Sequence, residues 1–265
     1  MLNLIQADLF KMRKSPVIKI LFGITTLCAI VMTIMAYLIP QGVIGDKYTG
    51  IGFLFSDLNV ISILGAVLAG ILICGDFENK TIHEAVTSGC NRGAIIVSKA
   101  VVFFSALAFI LIPYAIITGI ALGTGAKFDM GAVSAGFLNI LSKDSGIALS
   151  ASGILKILAA MLTLMLVYMA QLSLCVPLAF VLKKPVLVVV NYYGLSIGSG
   201  QLAILSSSSP VLKNILSWTP FGGNYSFLTM NSGPGDLLKA IVVCFICIII
   251  MIVIAFSLFR KSEIK

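Results

Sequence analysis

Charge is the scarcest feature of this 265-residue sequence: only 28 residues are charged, 18 Lys+Arg and 10 Asp+Glu, which is 11% of the chain, while 59% is hydrophobic. Soluble globular chains carry about 25% charged and about 45–50% apolar residues. So few charges cannot solvate a particle of 28.1 kDa, and the mean hydropathy of +1.11 points the same way. A soluble enzyme, a nucleic-acid binder and a disordered tail are excluded on that ground. The chain is expected to be an all-α polytopic membrane protein. Histidine is nearly absent too, with His83 alone. His83-Glu84 opens an H-E-x-x-H zinc pattern, but Thr87 stands where the second histidine belongs. That excludes a zincin site. Cysteine is missing from every segment expected to lie outside the cell, so no extracellular disulfide framework is expected.

The charges that are present divide the chain. A spanning helix needs about 20 mainly apolar residues, and six apolar cores of about that length appear, charge-free but for Lys19 at the start of the first: Val17 to Ile39, Leu58 to Gly75, Ala100 to Leu122, Ile157 to Leu182, Pro185 to Leu205 and Ala240 to Phe259. A seventh gap, Asn214 to Gly235, holds Pro220, Gly222, Gly223, Asn224, Asn231 and Pro234, which would leave backbone groups unpaired in lipid. Residues 206–236 are therefore expected to form an outer re-entrant or interfacial segment. Within it, Ser206 to Ser209 followed by Pro210 reads as a cap with proline at the first helical position, so a short helix to about Trp218 should follow. Trp218, Phe221 and Tyr225 then mark an outer aromatic interface.

Six spans place both termini on one side. Twelve Lys and Arg fall on the terminal side and six on the other, while acids divide five and five, so the nets are +7 and +1. The positive-inside rule makes the terminal side cytoplasmic, in a bacterial plasma membrane as the family resemblance below implies. The excess of base is thus a topology signal and calls for no nucleic acid. Leu2, Ile5, Leu9 and Met12 recur at helical spacing beside Gln6, Asp8 and Lys11, which predicts an interfacial helix over residues 1–15 ending before Pro16. The first apolar core is too long for the h-region of a signal peptide and has no A-x-A-like site after it.

No ionisable residue falls near the middle of a span. Lys19, Asp57, Lys156 and Lys239 sit at helix ends, where their side chains are expected to reach the interface. A proton- or ion-coupled carrier would lack its coupling residue, and Gly75 to Thr81 is too short and glycine-poor for a P-loop. Any uphill transport must draw its energy from another protein. The fifth core is the least lipid-like, with Asn191, Tyr192, Tyr193, Ser196 and Gln201 among Gly194, Gly198 and Gly200. These groups, with Gln171 of the fourth core, are candidates for a translocation path, a bundle contact or a dimer interface. Gly194-Leu195-Ser196-Ile197-Gly198 fits the G-x-S-x-G pattern, so an intramembrane hydrolase using Ser196 is an alternative. The same glycines, and Gly119 with Gly123, form small-xxx-small faces expected to pack helices.

Residues 76–99 hold the most specific signal. Phe77, Thr81, Ile82, Ala85 and Val86 recur at helical spacing against polar Glu78, Lys80, His83 and Glu84, and Gly89 reads as a stop. The order Asp76-Phe77-Glu78-Asn79-Lys80-Thr81, then a helical turn, Gly89, Arg92 and Ser98-Lys99 opening the next span, resembles the intracellular signature of ABC type-2 exporter permeases. The wording and size are similar to the branch that includes bacitracin-resistance and lantibiotic-immunity permeases. The family commonly has glycine where this chain has Lys80.

The resemblance implies a single permease domain over residues 1–265 that works with a second permease chain and two copies of a cytoplasmic ABC ATPase. Residues 76–99 would form the coupling helix, with Asp76, Phe77, Glu78, Lys80, Thr81 and His83 at the ATPase contact and Arg92 and Lys99 anchoring its return to the membrane. ATP and Mg would belong to the partner, and this chain would hold no cofactor and no metal. The cargo would be an antimicrobial peptide or another amphipathic compound, exported or extracted from the membrane for self-immunity or resistance. A non-transporting membrane anchor or sensor is the remaining alternative.

Overall fold

The computed structural model describes residues 2–45, 48–130, 134–146, 150–206, 209–222 and 225–261. Lys47, Ser207, Ser208, Gly223, Asn224 and Lys265, all used in the sequence reading, lie outside the described residues. The described residues are helical with no strand. Helix α1 (Leu2–Lys14) precedes α2 (Pro16–Leu38), with Ser15 extended between them and Pro16 in the first turn, where its missing N–H costs nothing. The second crossing is composite: α3 (Thr49–Leu54), α4 (Asp57–Ala69), a π-helical turn (Gly70–Cys74) and α5 (Gly75–Glu78). Then come α6 (Thr81–Thr87), α7 (Arg92–Gly123), α8 (Phe137–Asp144), α9 (Ala151–Leu172) and α10 (Cys175–Leu182). Helices α11 (Pro185–Ser206), α12 (Pro210–Ser217) and α13 (Pro234–Lys261) complete the order.

Five helical stretches among the described residues are long and apolar enough to cross a membrane: Pro16–Leu38, Thr49–Glu78, Arg92–Gly123, Ala151–Leu182 and Pro234–Arg260. They fit a membrane-embedded protein. Helix α11 has the length, 22 residues, but is not one of the five. The break between α9 and α10 has a simple cause. Pro177 cannot donate to the carbonyl four residues back, that of Ser173, which instead accepts the Val176 N–H at 3.0 Å.

Two expectations from sequence change. Asp57 does not reach an interface; it is completely buried at the start of α4, because α8 folds back over it. Its carboxylate accepts the Phe137 N–H at 3.0 Å and the hydroxyl of Tyr168. Phe137 begins α8, so Asp57 occupies the place of an N-cap supplied from another helix. Gly136, with φ +67°, lies against this pair, and a Cβ there would collide with both Asp57 and Tyr168. Asn139 donates to the Leu228 carbonyl at 3.3 Å, and Asp144 accepts the Met230 N–H at 2.8 Å. Helix α8, in a loop with no readable chemistry at the sequence level, is thereby a buried plug tied to the segment before α13. Burial pushes the Asp144 carboxyl above its usual range, the Met230 hydrogen bond opposing only part of that rise.

The second change concerns glycine. Among the described residues, Gly119, Gly123, Gly194 and Gly198 have no heavy atom within 4 Å of a would-be Cβ, so none of them makes a close helix contact there. Close approaches occur at other glycines, among them Gly65, whose Cβ position lies 2.5 Å from Leu172, and Gly70, whose Cβ position lies 3.0 Å from Pro185.

Candidate functional site

The stretch 75–99 folds as a broken helix at the end of the bundle that also carries α1 and the end of α13. Helix α5 ends at Glu78, and Lys80 takes the left-handed conformation, φ +58°, before α6 starts at Thr81. Left-handed backbone costs a non-glycine residue about 1–2 kcal/mol. This is the position at which the resembled family commonly has glycine. Helix α6 ends as the sequence suggests: Gly89, φ +87°, donates to Val86 at 3.1 Å and Cys90 donates to Ala85 at 3.0 Å, the paired bonds of a Schellman stop.

The signature divides by burial. Asp76 is 3% exposed and pairs with Lys99 at 2.5 Å and with Lys11. Thr81 donates to the Asp76 carboxylate at 3.0 Å. Lys99 also meets Asp8 at 2.8 Å, and Ser98 donates to Asp8 at 2.8 Å. Four helices thus converge on one cluster of two acids and two bases whose charges cancel, with Asp8, Asp76 and Lys99 sunk into the protein and Lys11 closing it from the exposed side.

Phe77 turns inward as well. Its ring meets Phe180 edge-on at 5.6 Å and Phe259 at 6.2 Å, and the Lys183 ammonium lies 5.5 Å from its centre. Ile82 is 1% exposed. The apolar side of the amphipathic pattern is therefore spent on the protein's own core. Glu78, Asn79, Lys80, Thr81, His83, Glu84 and Thr87 form the exposed side. Arg92 donates to the carbonyls of Phe259 at 2.9 Å and Arg260 at 3.1 Å, where a cation satisfies the C-terminal end of α13. Asn91 caps α7 by accepting the Gly93 N–H at 2.9 Å.

The candidate path residues do not come together. Gln171 is buried and donates to the Pro220 carbonyl at 2.9 Å, which ties α9 to the turn after α12. Tyr192 is 1% exposed on the side of α11 that packs on α4. Asn191 is exposed and donates to Leu187 at 2.8 Å, Gln201 is exposed, and Tyr193 and Ser196 are half-buried. With Gly194 and Gly198, the exposed Asn191 and Gln201 make one polar, small-residue side of α11. Ser196 lies 11 residues into α11, about 16 Å along the axis, and His83 is on exposed α6. No described contact joins them.

At the other end, α12 starts at Pro210 and closes just before Trp218. Trp218 is 68% exposed with the Lys239 ammonium 5.4 Å over its ring. Phe221 is half-buried, and Tyr225 is buried, donating to the Ser217 carbonyl at 2.6 Å.

Sequence reasoning missed the roles of Asp8 and Lys11 in the buried cluster and the plug around Asp57. Asp8, three residues before Lys11 on the short helix α1, was the available signal for the first. No protein-family model matches this chain, and no curated protein matches it.

Proposed function

We propose that this chain is the transmembrane permease subunit of an ATP-driven exporter of the ABC type-2 kind. The reading takes α11 as a sixth crossing in addition to the five long apolar helices, with both termini in the cytoplasm of a bacterial cell. The observation that carries it is the divided signature: Asp76 and Phe77 are sunk into the bundle, while Glu78, His83 and Glu84 stand out on a short helix held from below. A helix braced this way presents a fixed polar ridge to a soluble partner and can pass force into the membrane bundle. The left-handed turn at Lys80, where the family's glycine would sit, supports the alignment of the signature.

In this reading the partner is an ABC ATPase, two copies per exporter, carrying ATP and Mg and performing the hydrolysis. The second permease chain meets the polar side of α11, where Asn191 and Gln201 are exposed beside Gly194 and Gly198 and lipid offers their polar groups no partner. The cargo is an amphipathic compound, with an antimicrobial peptide the first to try. The decisive experiment co-expresses the chain with the P-loop protein encoded beside it. Recovery of the pair, and loss of peptide resistance when the ATPase is inactivated, is expected. A recovered pair that never hydrolyses ATP would favour an anchor or sensor instead.

A further inference from the structure

The buried charge cluster does more than fill space. Asp8 and Lys11 lie on α1, Asp76 on α5, Thr81 on α6, and Ser98 and Lys99 at the start of α7. Lys99 is its hub, with its side chain 8% exposed and a carboxylate on either side at 2.5 and 2.8 Å. Removing Lys99 leaves the Asp8 carboxylate without its cation, so α1 and the start of α7 separate only at a cost.

The joint between this cluster and the bundle is of a different kind. Between α4 and α5 the helix widens into the π-helical turn Gly70–Cys74. Such turns are rare, and they sit at functional sites because the backbone ladder there is already perturbed. On one side Gly70 presses on Pro185 at the start of α11. On the other, Ile71 and Leu72 border a cavity of about 60 Å³ shared with Asp8, Lys11, Asp76 and Lys99. The turn thus has a fixed side and an open one.

We propose that Asp8 and Lys99 are positioning residues that lock α1, the α5–α6 segment and the start of α7 into one moving unit, with the π-helical turn as its hinge. A push on Glu78, His83 and Glu84 then travels through Asp76 and Lys99 to the interfacial helix, and through Ser15 and Pro16 to the first span. The source of the push rests on the function proposed above; the existence of the unit does not. Asp76 in this scheme is an internal strut.

Hydrogen exchange on the full chain in nanodiscs separates the two. In Asp8→Asn, which keeps an acceptor for Ser98, and in Lys99→Met, exchange should rise at least about tenfold in residues 2–14 and in residues 75–87 together. A rise confined to 2–14, or none, overturns the unit. In the complex with the ATPase, ATP with vanadate should shift exchange in 2–14. Asp8→Asn should abolish that shift, and the swap Asp8→Lys with Lys99→Asp, which keeps two acids and two bases, should restore it. A shift that survives Asp8→Asn, or a swap that restores nothing, overturns the positioning role. If no ATPase binds the wild-type chain, the function fails and the first arm alone decides the unit.

Discussion

Phe77 meets the ring of Phe180 edge-on at 5.6 Å, and that contact turns the one phenylalanine ring of residues 76–99 toward the protein. Edge-to-face pairs add about 0.5–1.5 kcal/mol to the burial of the ring. Phe77→Ala should therefore lower stability by about 2 kcal/mol, less than the ~3–5 kcal/mol for a fully buried ring, because Phe77 is half-buried. Thermal unfolding in detergent measures this, with exposed Glu78→Ala as the comparison. Equal midpoints for the two variants would show that Phe77 is a surface residue.

Lys80 holds a backbone conformation that suits glycine. Lys80→Gly should stabilise the protein by about 0.5–1 kcal/mol, the relief of left-handed strain less the entropy glycine loses. Lys80→Val, β-branched, should destabilise it. The same thermal measurement on both variants decides, and a loss in Lys80→Gly would contradict the observed turn.

Gly136 should tolerate no side chain. Its φ is +67°, and a Cβ would strike the Asp57 carboxylate and the Tyr168 hydroxyl. Gly136→Ala is expected to cost at least about 3 kcal/mol, strain and overpacking together. Yield and thermal midpoint in detergent report it, and wild-type behaviour would show that α8 does not seal over Asp57.

Asp144 gives a pH dependence with a definite sign. Burial raises its folded-state value above 3.8, so the folded protein binds this proton more tightly than the unfolded chain. Stability should fall as pH rises from about 3.8 through the raised folded value, then level off. Asp144→Asn keeps an acceptor for the Met230 N–H and carries no charge, so its midpoint should gain on wild type across that window. Parallel curves would contradict the assignment.

The membrane character, the helix at residues 2–14, the stop at Gly89 and the start of α12 at Pro210 were legible because each depends on local residue order. The inward half of the signature was not. Phe77 and Ile82 have the spacing of a docking face, and sequence periodicity cannot say whether such a face meets a partner or the chain's own α10 and α13. Asp57 was misread for a related reason. It stands at the end of an apolar run, where a charge usually reaches water, and only the return of α8 from 80 residues away covers it. The charge cluster joins Asp8, Asp76 and Lys99 across 91 positions, a pairing that no local pattern encodes.

The central claim is that Glu78, His83 and Glu84 form the seat of an ATPase. The direct measurement is recovery of the neighbouring P-loop protein on the purified, tagged chain, compared with the triple variant Glu78→Ala, His83→Ala, Glu84→Ala. All three side chains are exposed, so the variant should fold with a wild-type midpoint. The expected result is a stable complex for the wild type and at least about tenfold weaker recovery for the variant, as for the loss of a few central contacts. Equal recovery from both, or a chain that captures no ATPase at all, would contradict the account.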